Sequence, residues 1–154
     1  MSSETSQQNL IEYVTAMIGD QLFGLPIVRV QDVFIPEQLT RVPLAPPEIA
    51  GVLNLRGRIV TLIDLRRRFG LGERKDDEPA MAIGVESRGE SYGLLIDSVG
   101  EVLKLDDTAC EPNPTNLDHR LASVSTGIHR LDGQLLMVLD VDRVLDIAVK
   151  AAAA

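Results

Sequence analysis

The side chains able to do chemistry are few and scattered. His119 and His129 are the only histidines, and no His-x-His or His-x-x-x-His spacing gives either a metal-binding partner. His119 follows a loop acid, Asp118, and His129 ends an aliphatic run, so both read as surface or structural groups. Cys110 is the single cysteine. It excludes an internal disulfide. With no basic neighbour in sequence to favour the thiolate, it reads as a free structural thiol rather than a nucleophile. The chain has no Gly-x-Gly-x-x-Gly, no phosphate loop and no Gly-x-Ser-x-Gly.

Carboxylates are plentiful, but the prominent ones fit simpler work. Asp64 and Asp140 each precede a short helical pattern, where an aspartate caps free backbone N–H groups. A catalytic carboxylate pair is the competing reading, and no base, metal set or nucleophile accompanies it. Asp140-Val141-Asp142 lacks the glycine and distal glutamate of a calcium loop. The arginines are more distinctive. Arg56, Arg58, Arg66, Arg67, Arg68, Arg74 and Lys75 are seven of the 15 basic residues, on a chain of net charge −8. At least two of Arg66, Arg67 and Arg68 fit the solvated face of a helix; the set as a whole suits docking to an acidic partner. Arg56 stands apart, in a turn, Asn54-Leu55-Arg56-Gly57, and reads as a partner contact.

The scaffold holding these groups is one ordinary domain of 154 residues, 45% hydrophobic. Aromatic residues make up 3% and Trp is absent, too few for base stacking. The acidic balance also opposes phosphate binding, so no nucleic acid partner is expected. No apolar run reaches the roughly 18–20 residues that span a bilayer, and the polar start carries no signal-peptide pattern. A cytoplasmic chain without membrane insertion, metal or cofactor is expected. Residues 1–10 read as a flexible N-terminus, 11–149 as the domain and 150–154 as a tail.

Short aliphatic runs separated by turn residues predict strands at 13–18, 21–25, 58–63, 81–87, 91–96, 101–105, 124–129 and 134–139. Short helices are expected at 65–69 and 141–147, with loops at 72–79 and 106–118. The chain also repeats itself. Phe23-Gly24-Leu25 through Val30-Gln31-Asp32-Val33 matches Tyr92-Gly93-Leu94 through Val99-Gly100-Glu101-Val102, at a shift of 69. Leu55 to Leu65 matches Leu131 to Val141 at a shift of 76, and Arg67 and Arg143 continue the match. Arg56 then corresponds to Asp132, a divergence in charge at matching sites. Each half is too small for a secure core of its own, so the halves must pack together.

Asn54-Leu55-Arg56-Gly57 through Asp64-Leu65-Arg66 resembles the CheW family of chemotaxis coupling proteins, as do Phe23-Gly24-Leu25, Val30 to Val33, Gly51 to Gly57 and Tyr92 to Val102. The likeness runs over nearly the whole chain, with Asp32 where many members carry Glu. It implies an all-β fold of two intertwined five-stranded barrels of Src-homology type, related by duplication. It also implies a non-enzymatic adaptor binding the histidine kinase CheA and the cytoplasmic tips of methyl-accepting chemoreceptors, recruited to their membrane-associated arrays. By that analogy Val30, Asp32, Gly51, Arg56, Val99 and Val102 line the receptor groove, while Ile35, Leu39 and Arg41 meet the matching regulatory domain of CheA. The chain has no room for the phosphotransfer and ATP-binding domains of CheA or the receiver domain of CheV. The competing reading is a small-molecule-binding or catalytic β-barrel that uses the inter-half groove with Asp32, Asp64 and Asp140.

Overall fold

The structure, a computed structural model, describes residues 9–72 and 80–146. Expectations for most of the N-terminal segment, for most of the 72–79 loop, for Arg74 and Lys75, for the end of the last helix and for the tail lie outside the described residues.

Among the described residues ten strands appear: β1 (Leu10–Ile18), β2 (Gln21–Pro26), β3 (Val30–Phe34), β4 (Ile49–Leu55), β5 (Arg58–Asp64), β6 (Met81–Ser87), β7 (Glu90–Ile96), β8 (Ser98–Asp106), β9 (Ser125–Leu131) and β10 (Gln134–Leu139). They alternate with three one-turn helices, α1 (Leu65–Phe69), α2 (His119–Ala122) and α3 (Val141–Val144), and two 3-10 turns, Ile27–Arg29 and Asp107–Ala109. The expected strands are present, β6 and β10 with the expected bounds, β9 shifted toward its C-terminal end and the others longer. β3, β4 and α2 were not among the expected elements: β3 alternates half-buried and exposed side chains along a sheet edge, β4 is broken by a bulge at Gly51, and α2 is a single turn inside a loop.

The strands form two five-stranded sheets, ordered β8-β1-β2-β10-β9 and β3-β6-β7-β5-β4. Carrying β1 to β6, β2 to β7 and so on converts the first order into the second. The register agrees as well. Gly24 faces Val138 across the parallel β2–β10 pair, and their repeat partners Gly93 and Leu62 face each other across β7–β5. The bulge between Val14 and Ala16 against β8 has its counterpart between Val30 and Asp32 against β6. The sequence repeat is therefore a structural one, with each sheet built from both halves of the chain.

The shared glycines have a packing reason. A Cβ on Gly24 would lie 2.9 Å from the Leu136 side chain, and one on Gly93 would collide with Leu62. In both sheets the parallel partner strand lays a leucine across the bare backbone. The largest core cluster lies between the sheets, around Phe23, Phe69, Ile83, Leu94 and Leu139. The rings of Phe23 on β2 and Phe69 on α1 sit 5.2 Å apart, and each fully buried ring contributes about 1.5–3 kcal/mol. Smaller clusters fill each sheet, one around Leu53, Leu62 and Leu95, the other around Tyr13, Leu136 and Val138.

Both helix caps form as the repeat implies. Asp64 accepts from the Arg66 N–H at 3.0 Å, and Asp140 from the Arg143 N–H at 3.2 Å. The repeated arginines pair back onto these caps: Arg67 Nε stands 3.9 Å from Asp64, and Arg143 Nε 3.6 Å from Asp140.

Candidate interaction surfaces

The β4–β5 hairpin is closed by Arg56 and Gly57, at φ +54° and +83°. Two successive positive φ values are what a tight hairpin turn with native twist requires. Asn54 steadies the turn, its Oδ1 accepting from the Gly57 N–H at 2.9 Å. Arginine rarely adopts this conformation. Here the turn lifts its side chain clear of the sheet, leaving it 79% exposed. In the matching turn Gly133 also has positive φ but Asp132 does not, so the two hairpins differ in shape as well as charge.

Arg56 Nη1 reaches to 3.9 Å from Asp32 Oδ2, and the Asp32 side chain is 31% exposed. β3 and the β4–β5 hairpin are at opposite ends of the strand order, so the sheet curls until its ends approach. Asp32 lies over Gly84, whose missing side chain makes room for the carboxylate. Beside the ion pair opens a cavity of about 60 Å³, lined in part by Phe34, Leu55, Val60 and Tyr92. Burial, then the hydrogen bond to Glu90 Oε2 at 3.1 Å, raises the Tyr92 pKa and keeps its phenol neutral. The cavity offers an ion pair and an apolar floor, and neither Asp64 nor Asp140 enters it.

The remaining groove candidates are distributed. Val30 and Val99, at equivalent repeat positions, both pack against the core between the sheets. Val102 is on edge strand β8, 49% exposed. Gly51 is buried at a β4 bulge with φ +154°, and a Cβ there would stand 2.5 Å from the Thr40 carbonyl oxygen. Its bare backbone lets the preceding loop lie against β4, where Thr40 and Val52 exchange hydrogen bonds of 2.7 and 2.8 Å.

That loop carries the kinase candidates. Ile35 is 68% exposed and Leu39 40%, and Arg41 is also exposed. Sequence reasoning missed Val33, Val42 and Leu44, which extend the same apolar run, with Leu44 fully exposed. The signal was there in Arg41-Val42-Pro43-Leu44, where Pro43 keeps the apolar residues out of a strand interior.

The arginine cluster differs from expectation. Arg66 and Arg68 do not form a solvated helix face. Arg66 makes a two-pronged pair with Asp97, Nε to Oδ1 at 2.9 Å and Nη2 to Oδ2 at 2.7 Å. Arg68 donates to the carbonyls of Val144 and Arg143 at 3.3 and 3.1 Å, tying α1 to the end of α3. Both are half-buried because one helical turn packed on a core leaves little of its surface to solvent. His129 is buried within β9, its ring 5.8 Å from that of Tyr13, and so is structural. Among the described residues no three His, Cys, Asp or Glu side chains gather as a metal site, and no helix is long and apolar enough to cross a membrane.

Residues 12–149 match the family model of the CheW-like domain. The chain belongs to the CheW-like family. It is 28% identical over 144 residues to the chemotaxis protein CheW of Helicobacter pylori, covering 94% of this chain and 87% of that one. It is 31% identical over 134 residues to the CheW of Klebsiella aerogenes, covering 87% and 81%. Among solved structures it resembles the scaffolding protein TtCheW of Thermoanaerobacter tengcongensis, with a TM-score of 0.79, 32% identity and 88% of each chain covered. CheW-like proteins are non-enzymatic adaptors. That membership disfavours the catalytic-barrel reading, whose carboxylates Asp64 and Asp140 stay outside the cavity beside Asp32.

Proposed function

We propose that this CheW-like chain couples the cytoplasmic helical hairpins of chemoreceptors to the regulatory domain of the histidine kinase CheA. Its class is that of a non-enzymatic chemotaxis adaptor. The observation carrying the finer reading is the run of large apolar side chains on one solvent-facing segment: Val33, Ile35, Leu39, Val42 and Leu44, each 38% exposed or more. A monomer gains nothing from exposing such a patch, and contiguous exposed apolar surface marks a docking face. We assign it, with Arg41, to CheA.

The receptor is assigned to the curled end of the second sheet, where Arg56 projects beside Asp32 and the apolar-floored cavity. Val30, Gly51, Val99 and Val102 belong to the same proposal, Gly51 by shaping backbone and the valines by apolar contact. An arginine held at a turn presents its fork to a carboxylate or helix-end carbonyl of the hairpin. The working location is the cytoplasm, at the membrane-associated receptor array.

The test is assembly from purified parts: this chain, a receptor cytoplasmic fragment and the regulatory domain of CheA from the same cell. The expected result is a three-component complex on gel filtration that fails to form when this chain is omitted. Binding of neither component refutes the assignment.

A further inference from the structure

The chain passes between the sheets only twice among the described residues. It leaves the first sheet after β2, through Ile27–Arg29, to begin β3, and it returns after β7, through Asp97 alone, to begin β8. Each passage is held by a two-pronged ion pair to a helix. Arg29 donates from Nη1 and Nη2 to the two oxygens of Asp142 on α3, at 3.2 and 3.0 Å, and from Nη2 to the Glu86 carbonyl at 3.2 Å. Asp97 accepts both prongs of Arg66 on α1, and its Oδ2 also accepts from the Gly19 N–H at 2.8 Å. The Asp97 N–H donates to the Met17 carbonyl at 3.0 Å.

The two clamps are matched. The helix members, Arg66 and Asp142, differ by 76, the shift of the second repeat block, and the passage members fall within one position of equivalence at the shift of 69. Each clamp seats a passage on the helix that follows the parallel partner of the strand just left: α3 after β10 for β2, α1 after β5 for β7. Only the polarity is reversed. The first passage carries the arginine and its helix the aspartate; the second carries the aspartate and its helix the arginine.

We propose that Arg29–Asp142 and Arg66–Asp97 are paired positioning clamps that fix edge strands β3 and β8, and that their opposite polarity commits each passage to its own helix. Duplication supplies the need. β1 and β6 hold equivalent places in the two sheets and β2 repeats in β7, so each half has an alternative way to pair its strands within itself. In that unexchanged arrangement the passages would meet the helices of their own halves, setting Arg29 against Arg66 and Asp97 against Asp142. Both encounters are like-charged, and like-charged juxtaposition is how wrong pairings are excluded. In the exchanged fold both are opposite-charged and bidentate; the Arg66–Asp97 pair is the shielded one, its side chains 15% and 21% exposed, against 31% and 65% for Arg29 and Asp142.

The consequence for function rests on the proposed receptor reading. β3 and β8 head their sheets and carry Val30 and Asp32, and Val99 and Val102. The experiment uses the full chain with Asp97→Arg, Arg66→Asp, the double swap of both, and the milder Asp97→Asn. It measures amide hydrogen exchange along β8, refolding yield, and binding of a receptor cytoplasmic fragment. Either single reversal is expected to speed β8 exchange and weaken receptor binding by about tenfold or more, the scale of a lost charge-assisted contact. Asp97→Asn, which keeps the acceptor for Gly19, should fall between. The double swap should recover β8 protection beyond either single reversal, short of the share the Gly19 acceptor supplied, but lower the refolding yield, since both clamps now share one polarity. Adding Arg29→Asp with Asp142→Arg should recover that yield. A double swap no better protected than the singles overturns the clamp, and one that refolds in full yield overturns the role of polarity. If β8 protection is lost and rescued while receptor binding never changes, the clamp stands and the receptor surface is misplaced.

Discussion

Asp32 and Arg56 stand 3.9 Å apart although their strands occupy opposite ends of a five-stranded order. The contact exists because the second sheet curls around its own small core of Leu53, Leu62 and Leu95. With Arg56 79% exposed, the pair contributes well under 1 kcal/mol to folding by the usual scale of surface ion pairs, about 0–1 kcal/mol. Its value is in directing the guanidinium. Arg56→Glu should therefore melt within about 0.5 kcal/mol of the parent, as measured by thermal denaturation.

Gly51→Ala should behave differently. Its new Cβ meets the Thr40 carbonyl oxygen at 2.5 Å and inherits a φ of +154°. Strained backbone of this kind costs on the order of 1–3 kcal/mol. A urea titration should show that loss. Gly57→Ala, where a Cβ meets nothing within 4 Å, should lose only about 1 kcal/mol, from its φ of +83°.

Leu44→Ser and Ile35→Ser should leave stability nearly unchanged, because both side chains are exposed. They should weaken binding to the regulatory domain of CheA, with the larger loss for whichever residue fills a pocket there. Truncating a well-packed anchor costs about 2 kcal/mol or more, a shift of roughly thirtyfold in Kd, readable by calorimetry.

Two pH effects follow from named groups. The hydrogen bonds from Arg29 hold the Asp142 carboxyl below its ordinary value, with Ser87 adding a smaller pull in the same direction. A depressed folded pKa gives stability that is complete above the unfolded value, about 3.9, and is lost as pH falls through the lower folded value. The Arg29–Asp142 clamp should thus hold at neutral pH and open only in acid below about pH 4. Tyr13 is the opposite case. Burial raises its phenol above the usual 10.0, with Asp107 adding to the rise. Its contribution is complete below about pH 10 and is lost as pH climbs through the raised value. Urea midpoints taken across pH should show an alkaline decline that Tyr13→Phe reduces.

Much of the architecture could be read in the residues because it is local or repeated. Asp64 and Asp140 announced their helices through capping, and the two repeat blocks foretold two sheets of identical order. The Asp32–Arg56 approach follows from the resemblance, which puts both on the receptor groove, together with their opposite charges. The exchange of strands came only through the resemblance, which implies intertwined barrels, since nothing local in Val30 to Phe34 says whether β3 pairs with β1 or with its positional counterpart β6. The arginines of α1 were misjudged for the same reason. Their partners, Asp97 and the carbonyls of Arg143 and Val144, are 31 to 76 positions away. Leu44 and Val42 escaped notice because exposure, unlike hydrophobicity, is set by the packing of the whole loop.

The most direct measurement is paired binding by Arg56→Glu: one titration against a receptor cytoplasmic fragment, one against the regulatory domain of CheA, on protein whose melting curve matches the parent. If Arg56 docks in the complex as proposed, reversing its charge costs on the order of 2–5 kcal/mol, enough to empty a micromolar site. Receptor binding should vanish while kinase binding persists at parental affinity. Undiminished receptor binding by the folded variant would contradict the assignment of that surface.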